Sequence, residues 1–407
     1  MPDVSFDNLF VVALVGALAP LLLGFLPRLR LPSPVVEIVA GVVLGPSVLG
    51  WVEVDLPVQV LSLIGLAFLL FLSGLEIDAR RLRGRLLRVA LLGYLVTLAL
   101  GVPIGVGLDA AGWVSGPVLV VLALSATSLG LVVPVLKDAG QADGVVGQTT
   151  IVAATVADFA AIVLLSLLFS TSDGSTGSRL VLVLAFAVLV AATGLVLGRV
   201  GMGARIGAVL VRLQDTTAEI RVRLAVVLLV AFTALAERFG LESILGAFLA
   251  GVLVSTIDRD SASHPHFRTK LEAVGFGFLV PVFFVSSGVR LDLQGLLDSP
   301  SALLRVPVFL LALLLMRGLP ALLYVRTMGR RPALAAGLLQ ATSLPFIVAA
   351  AQIGMELGRI SEVTGAALIS AGLLSVMVFP TVALGLLRDG GTVSVPAQEG
   401  RRAVAMR

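Results

Sequence analysis

The stretch VVGQTTIVAATVADFAAIVLLSLLFS, residues 145 to 170, decides how the rest of the chain is read. Some 20 apolar residues at about 1.5 Å each cross the hydrocarbon of a bilayer, so a run of this length is a membrane-spanning helix. Asp158 sits near its middle. A carboxylate at that depth costs several kcal/mol unless it faces a cavity, a cation or a partner, which makes it a functional candidate; the bland alternative is a neutral Asp bonding helix to helix.

The composition agrees with a polytopic membrane protein. Hydrophobic residues make up 58% of the chain and charged ones 13%, where a soluble domain carries about a quarter charged. Mean hydropathy is +1.08. There is no cysteine and there are two histidines, so thiol chemistry, zinc–thiolate sites and a His-based metal site fall away. The net charge of +4 points to orientation in a membrane rather than to nucleic acid. The N-terminal MPDVSFDN is acidic where a secretory signal is basic, so the first apolar run is expected to be retained.

Working outward, apolar runs between polar breaks give thirteen expected spans, at about 9–27, 35–50, 58–75, 88–108, 115–136, 145–170, 180–200, 222–237, 241–257, 271–289, 302–325, 332–353 and 362–387. Charge checks this alternation. With the N-terminus outside, the loops expected to be cytoplasmic hold 23 of the 29 Lys and Arg, the opposite loops hold five, and Arg317 alone lies inside a span. The expectation is therefore a multi-pass protein of the cell membrane, N-terminus outside and C-terminus cytoplasmic, with a transmembrane domain over 1–387 and a short cytoplasmic tail over 388–407.

The chain also resembles itself. AGVVLG at 40–45 recurs as AGVLVS at 250–255, SGLEID at 73–78 as SGVRLD at 287–292, and ATSL at 126–129 as ATSL at 341–344. The offsets are 210, 214 and 215 residues, in one order. An offset of seven spans puts the second copy into the membrane from the opposite side, an inverted repeat of about 35–170 and 241–387 joined through a linker helix at about 180–200. Ser125, Thr127, Ser128, Gly130 and Pro134 interrupt the fifth span, and Gln340, Thr342, Ser343 and Pro345 the twelfth. Small polar residues beside Gly and Pro at repeat-related positions are the pattern of discontinuous helices; the alternative is two Pro kinks with hydroxyls bonding back along the helix.

Five stretches resemble the monovalent cation:proton antiporter family, the branch with bacterial sodium/proton antiporters and glutathione-gated potassium efflux systems. They are EIVAGVVLGPSVLG at 37–50, LIGLAFLLFLSGLEID at 63–78, LSATSLGLVVPVLKDAG at 124–140, ILGAFLAGVLVS at 244–255 and PVFFVSSGVRLDL at 281–293. The resemblance implies an all-α fold of thirteen helices with a scaffold or dimerisation domain, a homodimer, and a mobile core in which two broken helices cross beside an acidic helix. It puts Asp158 on the family's ion-binding aspartate and Arg317 where relatives carry Lys or Arg. Ala157 departs from the pattern, since relatives often carry Asp or Asn there and some carry Gln.

On this reading a lone carboxylate among hydroxyl and carbonyl oxygens suits a hard monovalent cation, Na⁺ or K⁺. Asp158 with Thr127, Ser128 and Thr155 supplies the expected ligand set, Thr342 and Ser343 are its counterparts in the second break, and Arg317 is the partner charge of the core. A proton and a cation would compete for one negative charge, which is antiport without a covalent step, a cofactor or an enzymatic reaction. A carrier of another solute on this fold and a non-transporting relative acting as a membrane sensor are the competing readings. The first wants a further polar or cationic pocket; the second wants a cytoplasmic output domain, which a short tail lacks. Glu37, at the start of the second span, reads as a helix-start acid, and His264 and His266 as loop residues with a minor claim to pH sensing.

Overall fold

The computed structural model describes residues 5–25, 31–77, 82, 84–169, 176–201, 212, 216–257 and 266–388. His264, residues 202–211 and 213–215 and the tail from 389 lie outside them. Among the described residues every regular element is helical. They are α1 (Asp7–Phe25), α2 (Ser33–Leu44), α3 (Leu56–Leu75), α4 (Gly84–Ala110), α5 (Pro117–Ser125), α6 (Leu129–Asp138), α7 (Val145–Phe169), α8 (Thr176–Gly201), α9 (Ile220–Arg238) and α10 (Ser243–Ile257). After these come α11 (Phe267–Val289), α12 (Leu293–Leu297), α13 (Pro300–Met328), α14 (Arg330–Gln340), α15 (Pro345–Glu356) and α16 (Glu362–Arg388).

Each of the thirteen apolar runs is occupied by one helix or by a broken pair, α5 with α6 and α14 with α15. Nine of these units, counted among the described residues, are long and apolar enough to cross a membrane. The runs at Ser33–Leu44, Leu180–Val196 and Ser243–Ile257 are apolar but shorter, and α9 carries Arg221, Arg223, Glu237 and Arg238 at its ends. Twelve residues of α2 rise about 18 Å, well short of a hydrocarbon core about 30 Å thick. Apolarity marked where helices form; length decides which of them qualify as spans taken alone.

Local chemistry sets the helix ends. Asp55 caps α3 by accepting from the Val58 amide at 3.1 Å, with Pro57 in the first turn. Ser299 caps α13 through the Ala302 amide at 3.2 Å, ahead of Pro300. These are the residues that favour helix starts, because their side chains satisfy amides no earlier carbonyl can reach. Inside α13, a π-turn spans Leu314–Gly318 and a 3₁₀ stretch Leu319–Tyr324. Pro320, which lacks an amide, follows that π-turn and accounts for the irregularity that sets the pitch at Arg317.

Packing carries the same spacing as the sequence repeats. A side chain on Gly41 of α2 would collide with the Val285 carbonyl of α11, and one on Gly251 of α10 with the Phe71 carbonyl of α3. Reciprocally, one on Gly288 would meet the Ile38 carbonyl, and one on Gly74 the Phe248 carbonyl. Gly41 and Gly251 are 210 residues apart and so are Ile38 and Phe248, while Gly74 and Gly288, like Phe71 and Val285, are 214 apart. The α2–α11 and α3–α10 crossings are thus the same contact made twice. Bare backbones touch at each, the arrangement by which small residues let helices approach where apolar burial alone gives no preference.

α7 lies in the interior against α4, α5, α6 and α14. In contrast α1 exposes Phe10, Leu14, Leu18, Leu21 and Leu22, and α8 exposes Leu180, Val181, Leu184 and Val188, as lipid-facing helices do.

Gly251→Ala should therefore cost about 1–3 kcal/mol or more, because the new methyl meets backbone that cannot step aside. Gly107→Ala, where nothing lies within 4 Å of the added carbon, should be neutral. Thermal unfolding of the two variants in detergent checks the contrast; equal midpoints would mean that the α3–α10 crossing tolerates separation.

Candidate functional site

The site begins with a backbone problem. α5 ends at Ser125 and α6 begins at Leu129, so the amides and carbonyls between them lack helical partners. The Thr127 amide donates to Oδ1 of Asp158 at 2.9 Å. The Ser128 amide donates to the Thr342 carbonyl at 2.8 Å, joining the first break to the second. The Thr127 hydroxyl donates to the Gln340 carbonyl at 2.6 Å, which is otherwise an orphan at the end of α14.

Arg317 completes the crossing. Its side chain is among the largest fully buried ones, and Nε and Nη2 donate to the Thr127 hydroxyl at 3.0 and 2.6 Å, while Nη1 lies 3.4 Å from Thr97 Oγ1. Among the described residues no ion pair joins Arg317 to Asp158. Thr127 stands between them, its amide toward the carboxylate and its hydroxyl toward the guanidinium. Ala157, fully buried, packs with Ala90, Tyr94 and Val152 between α7 and α4, so the position where relatives carry a polar residue is filled with apolar contacts.

Asp158 lines a cleft. Thr127 and Ser128 line it, with Glu76, Ser73, Gly130, Leu131 and Phe276. The N-terminus of the ten-residue α6 lies on the same wall, where its free amides favour negative charge. Of the remaining residues expected in the ligand set, Thr155 is not on the cleft wall and its hydroxyl bonds back to the Ile151 carbonyl at 2.8 Å. Thr342 does likewise to Leu338 at 3.1 Å. Ser343 fastens the second break to α16, its amide donating to Ser375 Oγ at 3.1 Å and its carbonyl accepting from that hydroxyl at 3.0 Å. The geometry therefore gathers Asp158, Thr127 and Ser128 at one wall and uses Thr155, Thr342 and Ser343 to hold backbone.

A sequence profile of the family described as sodium/hydrogen exchanger, transmembrane, matches residues 10–388. The chain belongs to the sodium/hydrogen exchanger family. Among its relatives are a putative Na⁺/H⁺ antiporter, YjbQ, of Bacillus subtilis, 33% identical over 395 residues, and the Na⁺/H⁺-K⁺ antiporter GerN of Bacillus cereus, 29% identical over 299. The match to YjbQ covers 93% of this chain and 63% of that protein; for GerN the shares are 72% and 74%. The fold is shared with the sodium proton antiporter MjNhaP1 of Methanocaldococcus jannaschii, at a TM-score of 0.66 and 18% identity over 93% of this chain and 97% of that one.

Within this family fold, two site residues carried little signal in the sequence. Thr97 is one hydroxyl in the apolar run of α4, and nothing in its neighbours marks it as a partner of Arg317. Glu76 stands in the repeated SGLEID segment, where its nearness to Asp158 depends on how α3 and α6 meet.

The Thr127 hydroxyl makes all its bonds within the crossing, donating once and accepting twice, so it has no lone pair left for a cation. In this structure that hydroxyl serves the helix crossing. Thr127→Val should accordingly lower stability by about 2–3 kcal/mol, leaving a buried guanidinium and the Gln340 carbonyl short of partners. A thermal shift in detergent measures this; an unchanged midpoint with a raised half-saturating cation concentration would return Thr127 to the ligand set.

Proposed function

We propose that this chain exchanges a monovalent cation, Na⁺ or K⁺, for protons by alternating access, with Asp158 as the group that carries one or the other. The observation behind it is the Asp158 carboxylate on a cleft wall at a double helix break. There one oxygen is fixed by the Thr127 amide. At the helix break itself the donor set is the Asp158 carboxylate with neutral oxygens, and among the described residues no group of three or more His, Cys, Asp or Glu side chains converges. Such a set offers a single negative charge, matched by one monovalent cation or by one proton.

Coupling follows from electrostatics. Moving an empty, ionised carboxylate across a desolvated barrier costs several kcal/mol, while a protonated or cation-loaded one crosses as a neutral unit. Arg317 cannot discharge at accessible pH and is held by hydroxyls, so it supplies a constant charge rather than a second exchanging one. Ala157 cannot titrate. The stoichiometry is therefore one for one.

The architecture we infer has thirteen crossings, N-terminus outside and C-terminus cytoplasmic. Two inverted repeats, about 35–170 and 241–387, are joined through the helix at about 180–200, and the chain forms a homodimer in the cell membrane. The paired glycine contacts with repeat-length spacing support the two-fold relation, and the Lys and Arg asymmetry supports the orientation.

Asp158→Asn should abolish cation-dependent proton movement in proteoliposomes carrying an internal pH dye, without loss of thermal stability. Flux near the unsubstituted level would remove Asp158 from the cycle.

The exchange should also be electroneutral. The membrane potential, about 2.3 kcal/mol per charge per 100 mV, then does no work on it. With the potential clamped at several values, the condition of zero net exchange should follow the ion and pH gradients alone. A reversal point that moves with voltage means that a second charge is carried.

A further inference from the structure

Asp158 is not the only acid in the cleft. Glu76, the residue that closes α3, lines the same space. Its Oε1 comes within 3.8 Å of where a side chain on Gly130 would begin, so it reaches the first turn of α6, close to the Thr127 amide that holds Asp158. The start of α6 thus faces two carboxylates.

The surroundings of Glu76 do not explain it as a structural acid. Its Oε2 is sealed from solvent and has no hydrogen-bond partner. Arg268 of α11 and Lys137 of α6 are its basic neighbours, with Glu272 of α11 and Asp158 of α7 the acidic ones. Among the described residues Arg268 makes no ion pair with it. That guanidinium donates through Nη2 to the Leu75 carbonyl at 2.9 Å and pairs through Nε with Glu272 at 3.4 Å. A sealed carboxylate oxygen without a donor costs on the order of kcal/mol, a cost that a proton or a bound cation removes.

We propose that Glu76 is a second cation-binding carboxylate, which takes up Na⁺ or K⁺ at the mouth of the cleft and passes it to Asp158. Pro34, at the start of α2, and Glu76, at the end of α3, both line the cleft. In the sequence these two helix ends adjoin the segments that carry Arg28 and Arg30 and Arg80, Arg81 and Arg83. Because Glu76 caps α3 and lies at the mouth, it loads the site from one face and takes no part in the crossing, so the one-for-one exchange is unchanged. The inference rests on the exchange reading, but cation binding tests it separately.

The experiment is equilibrium binding of ²²Na⁺, with ⁸⁶Rb⁺ standing in for K⁺, to the purified full chain in detergent, followed by transport in proteoliposomes. Asp158→Asn should keep saturable binding weakened about tenfold, and adding Glu76→Gln should abolish the remainder. Glu76→Gln alone should raise the half-saturating cation concentration for exchange about tenfold with maximal rate largely kept. Glu76→Asp, whose shorter side chain withdraws from Gly130, should fall between and guards against misfolding of the Gln variant. Loss of all saturable binding in Asp158→Asn, or unchanged half-saturation in both Glu76 variants, overturns the proposal. Binding as described with no exchange in the unsubstituted protein would instead defeat the exchange reading and leave Glu76 standing as a cation site.

Discussion

One hydroxyl holds the centre of this molecule. Where α5 and α14 stop short in the interior, the Gln340 carbonyl and the Arg317 guanidinium both need partners, and the Thr127 Oγ1 serves both. Neither group could stay buried unpaired without a cost comparable to a large part of a protein's net stability. Meeting that need fixes the break at residues 126–128, and the fixed break aims the Thr127 amide at Asp158. The site is therefore a by-product of satisfying backbone and guanidinium in an apolar setting. The Asp158 carboxylate is positioned by a peptide N–H that has no helical partner.

The remainder of the fold gives that crossing a frame. Four glycines, Gly41, Gly74, Gly251 and Gly288, let α2 meet α11 and α3 meet α10 backbone to backbone. These contacts are rigid because carbonyl oxygens, not adaptable side chains, form one side of each. α3 has two roles as a result: it takes part in a tight crossing at Phe71 and Gly74 and, one turn later, delivers Glu76 to the cleft. Packing in the last turns of the helix sets the placement of the charge that closes it.

How much of this the sequence disclosed depends on what kind of signal each part leaves. Helices in an apolar chain leave long runs, and all thirteen runs are helical, with the breaks at the two ATSL segments where Ser, Thr, Gly and Pro cluster. Asp158 and Arg317 stood out because charge inside a span is rare. Membrane-crossing length was less legible, because α2 is flanked by apolar residues that continue as turn rather than helix: the chain bends at Gly45 and Pro46. Ligand assignments were least legible. A threonine in a broken helix reads alike whether its oxygen faces a cleft or its own backbone, and only coordinates separate Ser128, on the wall, from Thr155, bonded to Ile151. Arg317 signalled a buried charge but not its partners, which are the hydroxyls of Thr127 and Thr97.

The central claim is that a proton and a cation compete for the single charge of Asp158. It is tested most directly by proton release on binding. Purified protein in weakly buffered detergent, at a pH where the site is protonated, should release close to one proton per chain when NaCl or KCl is added. Choline chloride should release none, and Asp158→Asn should release none with either salt. Cation binding to the unsubstituted protein without proton release, or release that persists in Asp158→Asn, would contradict the account.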